Sequence, residues 1–280
     1  MAQGSVNKTV PIALTVLRTE PLGPSMHRVV LGGPNFDTYR ARHDALPGYT
    51  DTYVKLLFWP DGFDAPEQVD LRELPDGIRP VMRTYTIRSV DVDRREVLID
   101  FVTHGDEGVA GPWALAVQPG EWIHVRGPNG GYAPDPAADH YLFVGDEAAL
   151  PAISASIEAL PDQAQATAFI EIDGPADEVR FGGSAKVDVR WLHRGTAPRG
   201  STTLLDDAVR AWPWPEGRVQ AFVHGESALL KSVRPYVLKD RGVARADVSV
   251  SAYWRRGATE EGFRTWKSQQ VDAVMRPARG

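Results

Sequence analysis

The sequence predicts a two-domain protein. Residues 1–136 should form an antiparallel β-barrel, and residues 137–280 an α/β domain built on a parallel sheet and ending in a helix. Three observations carry this expectation. The chain has 280 residues, more than the ~100–200 of one usual domain. Its first half holds about six short strand patterns separated by Gly- and Pro-rich turns, the pattern of a small barrel or sandwich. Beyond Ala133-Pro134-Asp135-Pro136-Ala137-Ala138-Asp139, a linker-like run, strand and helix patterns alternate, which indicates a parallel sheet with helices on its faces.

The barrel strands are read in order as Val10 to Arg18, His27 to Leu31, Tyr53 to Trp59, Val81 to Val90, Glu96 to Thr103 and Glu121 to Arg126. A helical signal in this half is weak except near Gly108 to Ala116. In the second half, strands are expected at Tyr141 to Val144, Ala166 to Ile172, Lys186 to Leu192, Val219 to His224 and Asp247 to Trp254. Helices are expected at Ala148 to Leu160, Thr202 to Ala211, Ser227 to Arg241 and Thr259 to Met275. A barrel followed by a doubly wound half is a plan for two ligands, one on the barrel and one at the carboxyl ends of the parallel strands.

Composition narrows the function. The net charge is −6, which argues against nucleic acid as a main partner because phosphate backbones want a basic surface. The chain has no cysteine, so disulfides, thiol catalysis and cysteine-ligated iron–sulfur clusters or zinc are excluded. Neither a signal core at the N-terminus nor a window of ~18 uninterrupted apolar residues is found. These features fit a cytoplasmic protein without membrane insertion, with a monomer as the default.

The segment Arg83-Thr84-Tyr85-Thr86-Ile87-Arg88 reads as a strand with a chemical purpose. Strand alternation puts Thr84, Thr86 and Arg88 on one face and Arg83, Tyr85 and Ile87 on the other. The groups suit a flavin nucleotide: cations for a pyrophosphate, a ring to lie against the isoalloxazine, and small hydroxyls. An ordinary Thr/Tyr-rich edge strand is the plainer alternative. The loop from Phe101 to Ala114 adds small residues at Gly108, Ala110 and Gly111 that let backbone N–H groups approach a phosphate, and His104 at a strand end. Its alternative is a glycine-rich turn with a surface histidine.

On the second-domain rim, Gly145-Asp146-Glu147-Ala148-Ala149-Leu150-Pro151 joins a strand to a helix without the repeated glycines of a dinucleotide fingerprint. Asp146 and Glu147 are suited to cap that helix. His224-Gly225-Glu226-Ser227 forms a second strand-to-helix junction. Tyr253-Trp254-Arg255-Arg256 ends the last strand with groups that stack on rings and hold anions.

Taken together and in this order, these residues resemble the siderophore-interacting protein family, flavin-dependent ferric-siderophore reductases similar in architecture to ferredoxin–NADP reductases. The resemblance runs from about Val10 to about Met275 and implies FAD and NAD(P)H as cofactors. It implies Tyr85 stacked on the isoalloxazine and Thr86 at its N5 region, as the catalytic pair. It implies Arg83, Thr84, Arg88, Asp100, Val102 and His104 in FAD binding, with Gly108, Ala110, Gly111, Pro112 and Trp113 cradling phosphates and adenine. Asp146 and Ala149 would line the flavin–nicotinamide face. Lys55 and Arg255 would form a basic pocket for a ferric siderophore.

Two departures stand out. Ala149 stands where the family often has Thr, and Gly127-Pro128-Asn129-Gly130 lacks a frequent basic residue. The resemblance implies passage of electrons from NAD(P)H through flavin to Fe(III), with no iron ligand set needed in the protein. A general flavin or quinone reductase, or a siderophore-binding module without catalysis, would share many of these features. No clear arginine cluster identifies NADPH over NADH, although Arg180, Arg190 and Arg194 are available.

Overall fold

A computed structural model describes residues 10–103, 108–259, 262–263, 265–267 and 269. The chain forms two compact units, divided in sequence between Pro134 and Asp135. Residues 151–159 and 176–183 pack with the first unit, although they follow this division.

The first unit is a closed six-stranded antiparallel barrel in the order β1-β2-β5-β4-β3-β6. Its strands are β1 (Ile12–Pro21), β2 (Met26–Gly32), β3 (Tyr53–Phe58), β4 (Val81–Asp91), β5 (Glu96–Val102) and β6 (Trp122–Asn129). Closure comes from β6, which pairs with β1 on one side and β3 on the other, so the sheet has no free edge there. Alternate apolar positions such as Leu14, Val29, Leu56, Ile99 and Val125 fill the interior. A two-ion brace ties neighbouring strands: Arg28 Nε and Nη2 donate to Asp100 at 2.6 and 2.8 Å.

Helix α1 (Phe36–Asp44) was not expected. Its periodic signal is thin because only Phe36, Tyr39 and Arg42 are buried along it. The structure anchors it through Arg42, whose Nη1 donates to the Val10 carbonyl at 2.7 Å. The chain turns into α1 at Gly33, where φ is +90° and an added Cβ would lie 2.5 Å from Thr15 Oγ1; only glycine fits. Helix α2 (Ala110–Ala116) lies where the sequence suggested it.

The second unit holds a fully parallel sheet in the order β11-β10-β7-β8-β9. The strands are β7 (His140–Asp146), β8 (Gln165–Ile172), β9 (Lys186–His193), β10 (Val219–Glu226) and β11 (Val248–Trp254). Numbered within this unit and read from β9, the order is 3-2-1-4-5, that of a doubly wound nucleotide-binding fold. β10 is buried along its whole length, as expected for a strand inside a parallel sheet. Helices α3 (Leu150–Glu158) and α4 (Leu204–Ala211) follow β7 and β9 in sequence.

One expected helix is corrected. Ser227 to Arg241 is a 3₁₀ turn at Ser227–Leu230, a short α-turn at Val233–Pro235 and a π-turn at Tyr236–Asp240. Pro235 sits in the middle of the run and lacks the N–H that would continue the α ladder. Helical backbone is also present at 262–263, 265–267 and 269; the rest of the helix expected to reach Met275 lies outside the described residues.

Candidate functional site

In the barrel unit, the structure brings β4 and α2 together through one buried ring. Tyr85 is half-buried and its centroid lies 4.3 Å from Phe101. Phe101 in turn contacts Trp113 of α2 at 5.7 Å, and Trp113 meets Phe58 edge-on at 5.6 Å. β4 and α2 are thus linked through Phe101, although they are separated in sequence. Arg83 stands two residues before Tyr85 on the same strand face and donates from Nη1 to the Met82 carbonyl at 3.2 Å. Thr84 is exposed on the opposite face.

Tyr85 and Thr86 do not share a face. Thr86 is 7% exposed and pairs with Tyr53, whereas Tyr85 packs on the barrel core. A bulge does occur in β4, but it lies between Ile87 and Ser89 in the pairing with β5. That places it beyond Thr86, and it makes Arg88 the extra residue. Arg88 makes a bidentate pair with Glu158, from Nη1 at 2.8 Å and from Nη2. Asp100 is held by Arg28, so it orients that guanidinium within the barrel wall.

Near α2, Gly108 has φ +82° with open space where a Cβ would stand. The N-cap residue Val109 makes no side-chain cap bond, and Gly111 lies near the Val102 carbonyl. The Tyr85 and Trp113 rings, linked through Phe101, and Arg83 on the strand of Tyr85 are side chains whose chemistry suits a flavin dinucleotide. His104 lies outside the described residues.

Lys55 lies directly across from Thr84 on β4 and from Arg126 on β6.

The second unit offers a crevice at the carboxyl ends of β7, β8, β10 and β11, with a volume of ≈ 320 Å³. It adjoins the point where strand order reverses, between β7 and β10. Asp146 closes that point. Its carboxylate accepts from Ala148 N at 3.0 Å, Glu226 N at 3.0 Å and Trp254 Nε1 at 2.7 Å. Burial pushes the Asp146 pKa up against these bonds. Gly225, at φ +138°, leaves only 2.9 Å between a would-be Cβ and this carboxylate. The Asp146 side chain is therefore a brace, in line with the capping role, and Ala149 beside it is fully buried.

Sequence reasoning missed the cluster beneath this crevice. Glu147 and Arg194 have side chains 1% exposed and are in ion contact. Arg194 also faces Asp173 at 2.5 Å and Glu171 at 3.9 Å. Arg199 lies 3.6 Å from Glu147 and 4.8 Å over the Trp254 ring. Burial raises the pKa values of Glu147 and Glu171, against the pull of the arginines. Arg194 was one of three arginines available for a donor phosphate; its guanidinium is instead taken by carboxylates. Arg190 pairs with Asp188 at 2.8 Å, and Arg180 belongs to the segment that packs with the barrel. Arg255 is exposed, with its guanidinium 5.4 Å from the Trp266 ring.

Among the described residues, no group of three or more His, Cys, Asp or Glu could hold a metal ion. No helix among them is long and apolar enough to cross a membrane.

Two family models account for most of the chain: a siderophore-interacting FAD-binding domain over residues 15–132, and a siderophore-interacting protein domain over residues 138–257. The chain belongs to the siderophore-interacting protein family. An uncharacterized protein of Mycobacterium tuberculosis is 46% identical over 277 residues, covering 93% of this chain and 96% of that one. The ferric vibriobactin reductase ViuB of Vibrio cholerae is 30% identical, covering 92% and 94%. The NADPH-dependent ferric-chelate reductase of Escherichia coli is 34% identical, covering 86% and 91%. Among solved structures, a siderophore utilization protein from T. fusca matches with a TM-score of 0.75 at 36% identity, covering 89% and 94%.

The second unit also carries a buried histidine on β10. His224 stacks on Phe222 at 3.7 Å and bonds Ser249 Oγ through Nε2 at 2.9 Å. Burial, with a smaller push from Lys267, lowers its pKa from 6.5 to about 3. The unfolded chain therefore binds the extra proton as pH falls below about 6.5. The stabilisation is full above that pH and is lost on acidification, at about 1.4 kcal/mol per pH unit. His224→Phe should lose less stability than wild type between pH 7 and pH 5 in urea unfolding. An equal loss in both proteins would discount His224 as the source.

Proposed function

We propose that this protein is an FAD-containing reductase that takes electrons from NAD(P)H and delivers them to Fe(III) in a ferric siderophore, releasing Fe(II). The observation that carries this reading is the meeting of Tyr85 and Trp113 of α2 around Phe101, with Arg83 two residues before Tyr85 on β4, in a family that includes ferric reductases. Bound FAD supplies the link between a two-electron hydride donor and a one-electron metal acceptor.

The chain's residues take distinct tasks. Arg83 and the N–H groups of the first turn of α2 hold the pyrophosphate, where charge-assisted bonds are strongest. Tyr85, fixed by Phe101, lies against the flavin ring and keeps water from that side. Thr86 faces away from Tyr85, so it acts by positioning the strand at the flavin edge. Val102, Gly108, Gly111, Pro112 and Trp113 shape the dinucleotide path. The crevice of the parallel sheet takes the nicotinamide donor. Lys55 attracts a negatively charged ferric siderophore.

The purified protein should show flavin absorbance that NADH or NADPH bleaches anaerobically and that a ferric siderophore restores, with Fe(II) trapped by a chelator. A colourless protein, or a bleached one that the siderophore leaves unchanged, would reject the reading. Faster turnover with quinones or free flavin than with any ferric siderophore would favour a general reductase. Lys55→Ala is expected to raise KM for the siderophore several-fold while FAD content stays at the wild-type level. Unchanged turnover at limiting substrate would remove Lys55 from the pocket.

A further inference from the structure

We infer that the crevice is built for NADH and rejects NADPH, with Glu171 as the specificity-determining residue. The inference rests on the proposed nicotinamide donor and departs from the donor named for the Escherichia coli relative. In a sheet ordered 3-2-1-4-5, the group that reads the adenosine ribose stands at the end of the second strand. An acid there bonds the ribose 2′-hydroxyl; a nearby arginine instead accommodates a 2′-phosphate. The second strand of this sheet is β8, and Glu171 is its penultimate residue, lining the crevice.

The surrounding charges point the same way. The acids lining the crevice are Asp146, Glu147, Glu171, Asp206 and Glu226; the cations are Arg194, Arg199 and Lys231. Arg194 is surrounded by Glu147, Glu171 and Asp173. Arg199 is drawn to Glu147 and stacked over Trp254. Neither guanidinium has its charge left for a third phosphate. Glu171 accepts from Thr202 Oγ1 through Oε2 at 2.7 Å, which fixes the carboxylate. Its Oε1 is only 3.9 Å from Arg194, too long for a hydrogen bond, so this oxygen is the acceptor a ribose diol would meet. A dianionic 2′-phosphate in the same place would face the Glu171 carboxylate in a partly enclosed site, where like charges cost most.

The holoprotein should reduce its flavin with kcat/KM at least tenfold higher for NADH than for NADPH. A readout independent of the flavin is calorimetric binding of 5′-AMP against 2′,5′-ADP, which differ only in the 2′-phosphate; 5′-AMP should bind at least tenfold more tightly. Glu171→Gln should narrow both ratios several-fold by improving the phosphorylated partner. Should that variant fail to fold, Thr203→Lys, at an exposed position on the crevice rim, should narrow them by adding a cation. Equal or better use of NADPH by the wild-type protein overturns the inference, as does a ratio that neither variant moves. Failure of both nucleotides to bind and of both donors to bleach the flavin would instead reject the nicotinamide donor itself, and this inference with it.

Discussion

Arg194→Ala is expected to cost about 3–5 kcal/mol of stability, the usual penalty for removing one partner from a buried ion cluster. The Arg194 side chain is 1% exposed and faces Glu147, Glu171 and Asp173. Without it, Glu147 keeps only Arg199 at 3.6 Å and Glu171 its bond from Thr202, so the two buried carboxylates must stay charged with weaker compensation or take up protons. Burial already raises both of their pKa values, so the variant's deficit should be larger at pH 7 than at pH 5, where protonation relieves it. Urea unfolding at the two pH values measures this directly. A loss under about 1 kcal/mol at pH 7 would show that the cluster is hydrated and contributes little. Replacing the ion pair by Arg194→Met with Glu147→Gln should recover part of the loss, because an uncharged, well-packed pair avoids the desolvation of both ions.

Arg83→Ala is expected to yield folded protein that is largely free of flavin. Arg83 is half-buried and donates from Nη1 to the neighbouring Met82 carbonyl. Its guanidinium stands on the strand face of Tyr85, whose ring is fixed against Phe101. Hydrogen bonds to a charged pyrophosphate contribute roughly 1.5–3 kcal/mol each. Losing one or two should weaken FAD binding on the order of a hundredfold. The ratio of flavin to protein absorbance after purification, followed by titration with added FAD, reads this effect. Wild-type flavin content in a folded Arg83→Ala protein would remove this residue from the pyrophosphate site.

Much of the architecture was legible because it depends on local pattern. The alternation in β1 and β4, the continuous apolar runs of β7 and β10, and the Gly/Pro turns between them each follow from which face of a short segment must be buried. Helix α1 was not legible, because its two buried aromatics and one buried arginine do not make an apolar stripe; its anchor is a bond from Arg42 to Val10. The segmented run after Ser227 was misread as one helix because its apolar spacing is helical while Pro235 breaks the ladder. For the site, Arg83-x-Tyr85 marked the strand expected to meet a flavin, and its contact with Trp113 passes through Phe101, the first residue of the loop read as a phosphate site.

The sequence by itself determined the two-part plan, the family and the strand that carries the cationic and aromatic groups. Those are properties of short segments, and a short segment's periodicity and chemistry are written in consecutive residues. Only the tertiary structure decided what the charged residues do. The sequence offers Arg194 to a donor phosphate, Arg88 to FAD and Asp146 to the cofactor face, and it does not show which side chains in the fold surround them. Folding surrounds Arg194 with three carboxylates, pairs Arg88 with Glu158 and locks Asp146 between Ala148, Glu226 and Trp254. The physical reason is that a charge's role depends on its burial and on the sign of its neighbours, and those neighbours come from segments far apart in the chain.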